Sequence, residues 1–271
     1  MATQLFEGKE HASYYQKFRF EPTQEIIDLI FSYVDERLQK PYGFAVDVGC
    51  GTGQNTKILS QYVKKVLGID ISEAQIEEAK KASGSPNVTY SVSPAEEMPV
   101  GDASVDLLTA CASAHWFNIE KFLKEVDRVL KPGGCLAIFI YFADMEVHYK
   151  DRSEQMTEVF AEVMNILVPY QHEKFNNMKT AYKEIYEAIP YPDKRRIENI
   201  RTKIQMPLSS LMGLFLTFPA FQIYLKTEPE KAKEVLRTAE ERFLRIMGTS
   251  STETEVEVWL QNLVLLASKP Q

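Results

Sequence analysis

Gly49, Gly51 and Gly53 alternate with other residues directly after the run 44–48, which is apolar except for Asp47. The run is typical of a strand buried on both faces, and residues 54–62 can continue as a helix. Glycine tolerates a positive φ and has no Cβ, so the backbone can bend sharply at this turn and lie against a ligand. The free amides of the following helix point back toward that ligand. The stretch therefore predicts an α/β fold with a ligand-binding turn after its first strand.

The spacing of these glycines argues against two common phosphate sites. A dinucleotide turn has the pattern Gly-x-Gly-x-x-Gly, and a phosphate loop needs a Lys-Ser/Thr pair that is missing here. A second apolar run, 66–69, ends at Asp70, about twenty residues beyond the first glycine, where such folds hold a ribose. The carboxylate can accept two hydrogen bonds from vicinal hydroxyls. We therefore expect a ligand with an adenosine-like sugar, and a capping box formed by Ser72 and Gln75 at the start of the next helix.

Four stretches of the chain resemble the ordered motifs of class I S-adenosylmethionine-dependent methyltransferases with a methyltransferase type 11 domain. These stretches are residues 46–53, 68–72, 95–99 and 128–134. Their order and spacing are more specific than any one of them. Residues 106–110, followed by His115 and Trp116, resemble a branch that contains trans-aconitate methyltransferase and related small-molecule carboxyl methyltransferases. The resemblance implies S-adenosyl-L-methionine as the cofactor and methyl transfer to a small-molecule acceptor, for which a carboxylic acid is one candidate.

The order of the predicted elements indicates the architecture. Strands and helices alternate as far as residue 143, which predicts a doubly wound α/β sheet with right-handed crossovers. The resemblance implies a seven-stranded, mostly parallel, Rossmann-like sheet with one reversed strand near its edge. Residues 255–260 and 263–268 are predicted as two antiparallel strands joined by a short turn. We expect an N-terminal lid and first helix at 1–40, a cofactor-binding core at 41–143 and 228–271, and a helical cap insertion over the substrate side at 144–227.

The resemblance also carries a set of cofactor contacts onto this chain. Tyr15 and Arg19 belong to a pattern Ala-x-x-Tyr-x-x-x-Arg that is similar to an N-terminal family segment folded over the cofactor; alternatively, its aromatic residues only anchor the first helix. Pro94 stands where the family has an acidic residue beside adenine, so adenine recognition would depend on the backbone amides that follow or on the Ser93 hydroxyl. The expected cofactor-binding residues are Tyr15, Arg19, Asp47, Gly49, Gly51, Gly53, Asp70, Ile71, Ala95, Glu96, Ala110, Cys111 and Trp116.

His115 and Trp116 follow the fourth predicted strand, where the transferable methyl group would lie. An aromatic face such as that of Trp116 stabilises a sulfonium without reacting with it. His115 is the candidate catalytic residue, as a base or a substrate contact, and the alternative is a structural imidazole held by hydrogen bonds. A carboxylate acceptor needs no base, whereas an amine, a phenol or a thiol would make His115 the first candidate for one.

The composition narrows the range of partners. A net charge of −7 and a pI near 5.3 argue against binding nucleic acid, because the sequence shows no basic stripe. The first residues lack the pattern of a signal peptide, and no apolar run approaches the length of a membrane span, so we expect a cytoplasmic protein without a membrane partner. Cys50, Cys111 and Cys135 lack metal-ligand spacing, so we expect reduced thiols and no metal site.

Two other functions stay open at this point. A nucleotide-linked oxidoreductase on a similar sheet is disfavoured by the glycine spacing. A catalytically inactive protein that binds the cofactor or a partner on the same fold is favoured by Pro94, and by Phe218 and Pro219, which stand where the family has a Trp-Ser pair. The combined motifs predict the methyltransferase.

Overall fold

The computed structural model describes Phe6, residues 8–176 and residues 178–271. The helices are α1 (Lys9–Phe18), α2 (Gln24–Asp35), α3 (Gln54–Leu59), α4 (Glu73–Ala82), α5 (Ile119–Val129), α6 (Ser153–Leu167), α7 (Glu173–Asn176), α8 (Met178–Ala188), α9 (Leu208–Leu216), α10 (Pro219–Thr227) and α11 (Pro229–Met247). The strands are β1 (Tyr42–Val48), β2 (Val63–Asp70), β3 (Val88–Val92), β4 (Val105–Cys111), β5 (Leu130–Tyr141), β6 (Glu146–His148), β7 (Lys194–Pro207) and β8 (Glu255–Ser268).

The described strands form one eight-stranded sheet in the order β3-β2-β1-β4-β5-β8-β6, with β7 paired to β8. Strands β1 to β5 pair in parallel, and β8 runs antiparallel to β5, β6 and β7. The predicted doubly wound, mostly parallel, Rossmann-like α/β fold is confirmed, with eight described strands where seven were expected. The strand order reverses between β1 and β4, and open α/β sheets bind ligands at the carboxyl ends of the strands at such a point.

The sheet is buried on both faces because its central strands are apolar runs. Val46, Leu108 and Ile138 have no exposed surface. Ile30 on α2 packs in the apolar cluster on one face, and Phe122 on α5 packs in the cluster on the other. Each fully buried side chain of this size stabilises the fold by about 1.5–3 kcal/mol. The sheet is therefore a rigid base for the loops at its carboxyl edge.

Strand β8 is continuous from Glu255 to Ser268, so the prediction of two strands joined by a turn is wrong. The side-chain amide of Asn262, placed in that turn by the sequence, donates to the carbonyl of Ile200 at 3.1 Å and to the hydroxyl of Thr202 at 2.9 Å. The register of β7 is irregular just before these residues. Because the neighbouring strand satisfies the polar side chain, the chain can pass straight through this position.

The boundaries expected for the helical cap also need correction. Strand β7 lies inside the segment 144–227 and pairs along β8, so this segment is not helical throughout. Helix α11, which was expected in the cofactor-binding core, packs against helices of that segment, with Phe243 in one apolar cluster with Phe160 and Phe215. The predicted boundaries thus separate β7 from its sheet and α11 from its helical neighbours.

Helices α6, α9, α10 and α11 form an apolar group of their own, whereas α8 packs with α5 in the cluster on one face of the sheet. None of the described helices alone has the length and apolar composition needed to cross a membrane. Helices α9 and α10 pass that test only as a pair, and they meet at a bend of 71°. Their largest side chains, including Phe215 and Phe221, are buried against α6 and α11.

Candidate active site

The turn after β1 adopts a backbone that requires glycine. The φ angle is +63° at Gly49, +57° at Gly51 and +90° at Gly53, in the left-handed region that other residues rarely adopt. A Cβ on Gly49 would lie 2.6 Å from the Cβ of Ser113, and a Cβ on Gly53 would overlap the hydroxyl of Tyr90. The turn is therefore held between β3 and the segment that follows β4, and larger residues would change its shape.

Asp47 lies beneath this turn and has no exposed surface. Its Oδ1 accepts hydrogen bonds from Asn55 Nδ2 at 2.7 Å and Thr109 Oγ1 at 2.8 Å, and its Oδ2 accepts from Thr56 Oγ1 at 2.6 Å. Burial raises the pKa of the carboxyl group, and the three hydrogen bonds oppose that shift. The sequence predicted a cofactor contact here, but the side chain instead ties β1, α3 and β4 together under the turn.

Asp70 ends β2 beside the same turn. Its Oδ2 accepts from the Gly51 amide at 2.9 Å, and its Oδ1 accepts from the Ser72 amide at 2.9 Å. Burial raises its pKa, while these backbone donors lower it. Each oxygen keeps a free lone pair, so the carboxylate can still accept two hydroxyl groups.

The capping box predicted at the start of α4 forms only in part. The Gln75 amide donates to Ser72 Oγ at 3.2 Å, as expected. In a complete capping box the Ser72 amide would donate to the side chain of Gln75. Here it donates to Asp70 Oδ1 instead. The reciprocal half of the capping box is therefore absent among the described residues, and the carboxylate of Asp70 takes its place.

Two exposed apolar side chains stand beside Asp70 at the edge of the sheet. Ile71 is 54% exposed, and Val92, the register partner of Asp70 on β3, is 46% exposed. Exposed aliphatic side chains at the carboxyl edge of such a sheet can pack against a flat ring. Ile71 thus lies where the sequence predicted a cofactor contact.

The segment after β3 uses its polar side chains locally. Ser93 Oγ donates to the carbonyl of Glu97 at 2.7 Å, and Glu96 Oε1 accepts from the Asn118 amide at 2.6 Å. Glu96 therefore anchors the start of α5. Within the described chain, the backbone amides of Ala95 and Glu96 donate to no protein acceptor, so they can serve a ligand.

The carboxyl end of β4 combines buried and strained residues. Ala110 is fully buried, and burial raises the pKa of the Cys111 thiol, which is therefore neutral. Ala112 has a φ of +49°, an uncommon value for a residue with a side chain. Ser113 Oγ then donates to the carbonyl of Val48 at 2.9 Å, which fixes this segment against β1.

Helix α1 joins the sheet to the helical group. Gln54 Nε2 donates to the Tyr15 carbonyl at 3.4 Å on the sheet side, and the His11 ring donates from Nε2 to the Thr217 carbonyl at 3.0 Å on the helical side. The ring of Phe18 fills the space that a Cβ on Gly213 would need. The helix therefore lies over the glycine turn, with Tyr15 against Gly51.

Arg19 follows α1 and is enclosed by aromatic rings. Its guanidinium carbon lies 5.0 Å from the ring centroid of Tyr15, 5.5 Å from that of Tyr141 and 4.9 Å from that of Phe218. Its Nε and Nη1 are buried and have no hydrogen-bond partner in the described part of the chain. An arginine is always charged, so these two donors can bind an anion.

His115 and Lys174 lie around Trp116. His115 is buried, with Nδ1 3.4 Å from the Tyr182 hydroxyl. Burial, with a smaller contribution from Lys174, lowers the pKa of His115 to about 3. Lys174 Nζ donates to the Trp116 carbonyl at 2.7 Å. The imidazole is therefore neutral near pH 7 and is a weak base.

These elements enclose a cavity of about 70 Å³. Ligand sites usually measure about 300–1,000 Å³, so this cavity is smaller than a typical ligand site. Among the described residues, no group of three or more His, Cys, Asp or Glu could hold a metal ion. The cavity is lined by Phe6, Tyr15, Arg19, Ala112, His115, Trp116, Ile140, Tyr141, Ala143, Met164, Leu167, Gln171, Met178, Phe218, Pro219 and Ala220.

Comparison with known proteins gives a consistent result. Residues 46–138 match the family model described as a methyltransferase domain. A candidate methyltransferase of Dictyostelium discoideum is 29% identical over 248 residues, which cover 89% of this chain and 86% of that protein. The chain is an S-adenosylmethionine-dependent methyltransferase. S-adenosyl-L-methionine is its cofactor, and the predicted enzyme class is confirmed.

Two further relatives of this methyltransferase are informative. An O-methyltransferase of Aspergillus sclerotiorum is 34% identical over 146 residues, 51% of this chain and 55% of that protein. A solved structure of a candidate type II methyltransferase from Anaeromyxobacter dehalogenans has a TM-score of 0.73 and 23% identity, and covers 94% of this chain and 100% of its own. The second comparison shows that the fold is shared.

Most of the predicted cofactor residues of the methyltransferase converge at the carboxyl ends of β1, β2 and β4. Three do not face this space with their side chains, because Asp47 and Ala110 are buried beneath it and Glu96 turns toward α5. Sequence reasoning missed Gln75 and Lys174. Gln75 has the signal of a helix cap, and a single lysine in a polar segment carries no signal at all.

Proposed function

We propose that this methyltransferase transfers the methyl group of S-adenosyl-L-methionine to a carboxylate oxygen of a small acceptor with an apolar body. When bound, the cofactor supplies an electrophilic methyl group on a good leaving group. The chain then has to hold the acceptor in line with that methyl group and exclude water, and positioning alone can supply much of the rate. Strict alignment is the main task of the residues around the cavity.

The cofactor contacts follow from the donors and acceptors described above. Asp70 would accept the ribose hydroxyls, and Ile71 with Val92 would pack against adenine. The amides of Ala95 and Glu96 would donate to ring nitrogens of adenine, since Pro94 has no side-chain acceptor for the adenine amino group. Other residues would complete the site: the glycine turn would lie against the methionine part, and Arg19 would pair with its carboxylate, with Tyr15, Cys111 and Trp116 nearby. Asp47 would keep the turn in shape.

The choice of a carboxylate acceptor is supported by the groups around the cavity. No described lining residue is an aspartate or glutamate, and His115 is a weak base, so the proton of an amine or an alcohol would have no good acceptor. A carboxylate has lost its proton before it binds. Beside the cavity, Lys174 contacts the carbonyl of Trp116 and has no carboxylate partner among the described residues. A cation placed there favours an anionic acceptor.

Two similarities agree with this proposal. Residues 106–117 resemble the branch that contains trans-aconitate methyltransferase, whose members methylate small carboxylic acids. The relative from Aspergillus sclerotiorum is named an O-methyltransferase. Both favour oxygen as the accepting atom.

The test is methyl transfer from isotope-labelled cofactor to a panel of small carboxylic acids, phenols and amines. We expect methyl esters of apolar carboxylic acids as products. Lys174→Met should raise KM for the acid about tenfold with little change in kcat, because a charge-assisted contact is worth about 1.5 kcal/mol. Lys64→Met, on the exposed surface of β2, is the matched control and should leave KM unchanged.

Faster transfer to phenols or amines than to acids would overturn the carboxylate proposal. Binding of S-adenosylhomocysteine without transfer to any member of the panel would instead favour a protein that uses the fold only for binding. The two outcomes are separated by calorimetric titration of the same preparation with S-adenosylhomocysteine.

A further inference from the structure

Gln75 on α4 has a buried carboxamide that no described residue satisfies. Gln75 is 2% exposed, and neither its Oε1 nor its Nε2 has a hydrogen-bond partner in the described chain. The cap of α4 does not explain this, because Ser72 caps the helix with its hydroxyl and gives its own amide to Asp70. A buried carboxamide without partners costs stability, so its presence needs another reason.

The carboxamide lies at the glycine turn. Gln75 Oε1 is 3.6 Å from the position that a Cβ on Gly51 would occupy, and so is Cε1 of Tyr15. The Gly51 amide donates to Asp70 at 2.9 Å. Gln75 and Asp70 therefore border the same glycine, and Tyr15 from α1 covers it.

We propose that Gln75 binds the ribose of the cofactor together with Asp70. The inference rests on the placement of the cofactor proposed above. A vicinal diol offers two O–H donors and two oxygen acceptors, and the carboxylate of Asp70 can serve only the donors. The Nε2 group of Gln75 donates to a hydroxyl oxygen, which is the function that a carboxylate cannot serve. The pair thus matches both functions of the diol.

Other unpaired polar atoms belong to Gln16 on α1 and to Arg19, which directly follows this helix. Gln16 Oε1, Arg19 Nε and Arg19 Nη1 are buried without partners in the described chain. In the closed, ligand-free form these atoms and the carboxamide of Gln75 are buried without hydrogen bonds, which costs free energy of folding. If α1 lifts, the cofactor can enter. The polar groups of the cofactor would then form hydrogen bonds with these atoms.

The test compares Gln75→Met with the parent protein by calorimetric titration and thermal unfolding. Methionine has a similar length and cannot form the hydrogen bonds. We expect about tenfold weaker binding of S-adenosylhomocysteine, and a higher melting temperature of the ligand-free protein, because the unpaired carboxamide is gone. The parent should bind the 2′-deoxy or the 3′-deoxy analogue of S-adenosylhomocysteine about tenfold more weakly than the unmodified compound, and this difference should be smaller in Gln75→Met, in which only Asp70 still contacts the hydroxyls.

Gln54→Met is the matched control at the same turn. The carboxamide of Gln54 is paired with Thr52 Oγ1 at 2.7 Å and the Tyr15 carbonyl at 3.4 Å. Its removal should lower the melting temperature and preserve the dependence on the ribose hydroxyls. The opposite signs of the two shifts in melting temperature separate a ligand-binding carboxamide from a structural one.

Two results would overturn the inference. One is unchanged affinity of Gln75→Met for S-adenosylhomocysteine, and the other is weaker affinity with the full dependence on the ribose hydroxyls. If the parent protein binds no S-adenosylhomocysteine, the proposed cofactor site itself is wrong, and this appears before any variant is compared.

Discussion

The charged residues on the two sides of the site find their hydrogen-bond partners in different ways. Asp47 and Asp70, on the strands, belong to the sheet side, and Arg19 and Lys174, beside the helices, belong to the helical side. On the sheet side, Asp47 has three side-chain donors and Asp70 has two backbone donors. On the helical side, Arg19 has two unpaired nitrogen atoms in the described chain, and Lys174 contacts a carbonyl. A charge that the chain satisfies stabilises the fold, whereas a charge left for the ligand stabilises the complex. Folding alone therefore satisfies the carboxylates at the strand ends, whereas Arg19 keeps two buried donors that a ligand could use.

The strongest test of this contrast is the removal of Asp47. Asp47→Ala leaves the three donors of Asn55, Thr56 and Thr109 without an acceptor in a buried position. We expect the free energy of unfolding to fall by about 3 kcal/mol, measured by urea denaturation. Asp102→Ala removes an exposed carboxylate and should change stability by less than about 0.5 kcal/mol. A loss below about 1 kcal/mol in Asp47→Ala would contradict the structural role.

The pH dependence of stability tests whether burial keeps His115, which follows β4, in its neutral form. Its folded pKa of about 3 lies below the ordinary value of 6.5, so its contribution is complete above pH 6.5 and is lost as the pH falls toward 3. Between pH 7 and pH 4.5 the parent should lose roughly 2 to 3 kcal/mol more unfolding free energy than His115→Gln. Parallel stability curves for the two proteins would show that His115 is not held neutral by burial.

Arg19 gives the matching test of a charge left for a ligand. Arg19→Met should weaken binding of S-adenosylhomocysteine about 30-fold, because charge-assisted hydrogen bonds contribute about 2 kcal/mol. The ligand-free stability should change little, because the loss of the contacts with three aromatic rings is offset by the removal of a buried charge whose Nε and Nη1 donors have no partner in the described chain. Arg19→Lys keeps the charge without the planar fork and should give an intermediate affinity. Loss of stability with unchanged affinity would reverse the assignment.

The smallest effect is expected at Ile71, which belongs to the sheet side but is exposed. Ile71→Ala should reduce the affinity for S-adenosylhomocysteine about fivefold, since it removes roughly 1 kcal/mol of apolar contact. Stability should stay within about 0.5 kcal/mol of the parent, because the side chain is 54% exposed. Calorimetric titration and urea denaturation measure the two quantities. Equal affinity would place adenine elsewhere.

Local chemistry in the sequence was sufficient to predict the sheet side. Gly49, Gly51 and Gly53 are required by backbone angles, and Asp70 follows a buried strand at a spacing set by the fold. Such features depend on neighbours in sequence and on general rules for α/β sheets. They also predicted the parallel strands and the position of the crevice.

The rest depends on contacts between distant residues. In the sequence, Asn262 is typical of a turn. In the structure its side chain donates to the Ile200 carbonyl and the Thr202 hydroxyl, and these partners are too distant in sequence to be predicted. Gln75 looks like half of a cap until Asp70 takes the Ser72 amide. Strand β7 begins with three consecutive basic residues, and its isoleucines at 197, 200 and 204 are three and four residues apart, which is not the alternation typical of a strand. Partners of this kind appear only in three dimensions.

The position of β8 in the chain has a consequence for synthesis on the ribosome. β8 follows every other described strand, yet it pairs with both β5 and β7. Until it emerges, residues 135–140 of β5 form an apolar strand with one open edge, the kind of edge that recruits chaperones or a second nascent chain. Slow translation of the segment between α11 and β8 would prolong that exposure, so the yield of folded enzyme should depend on how quickly this last strand is delivered.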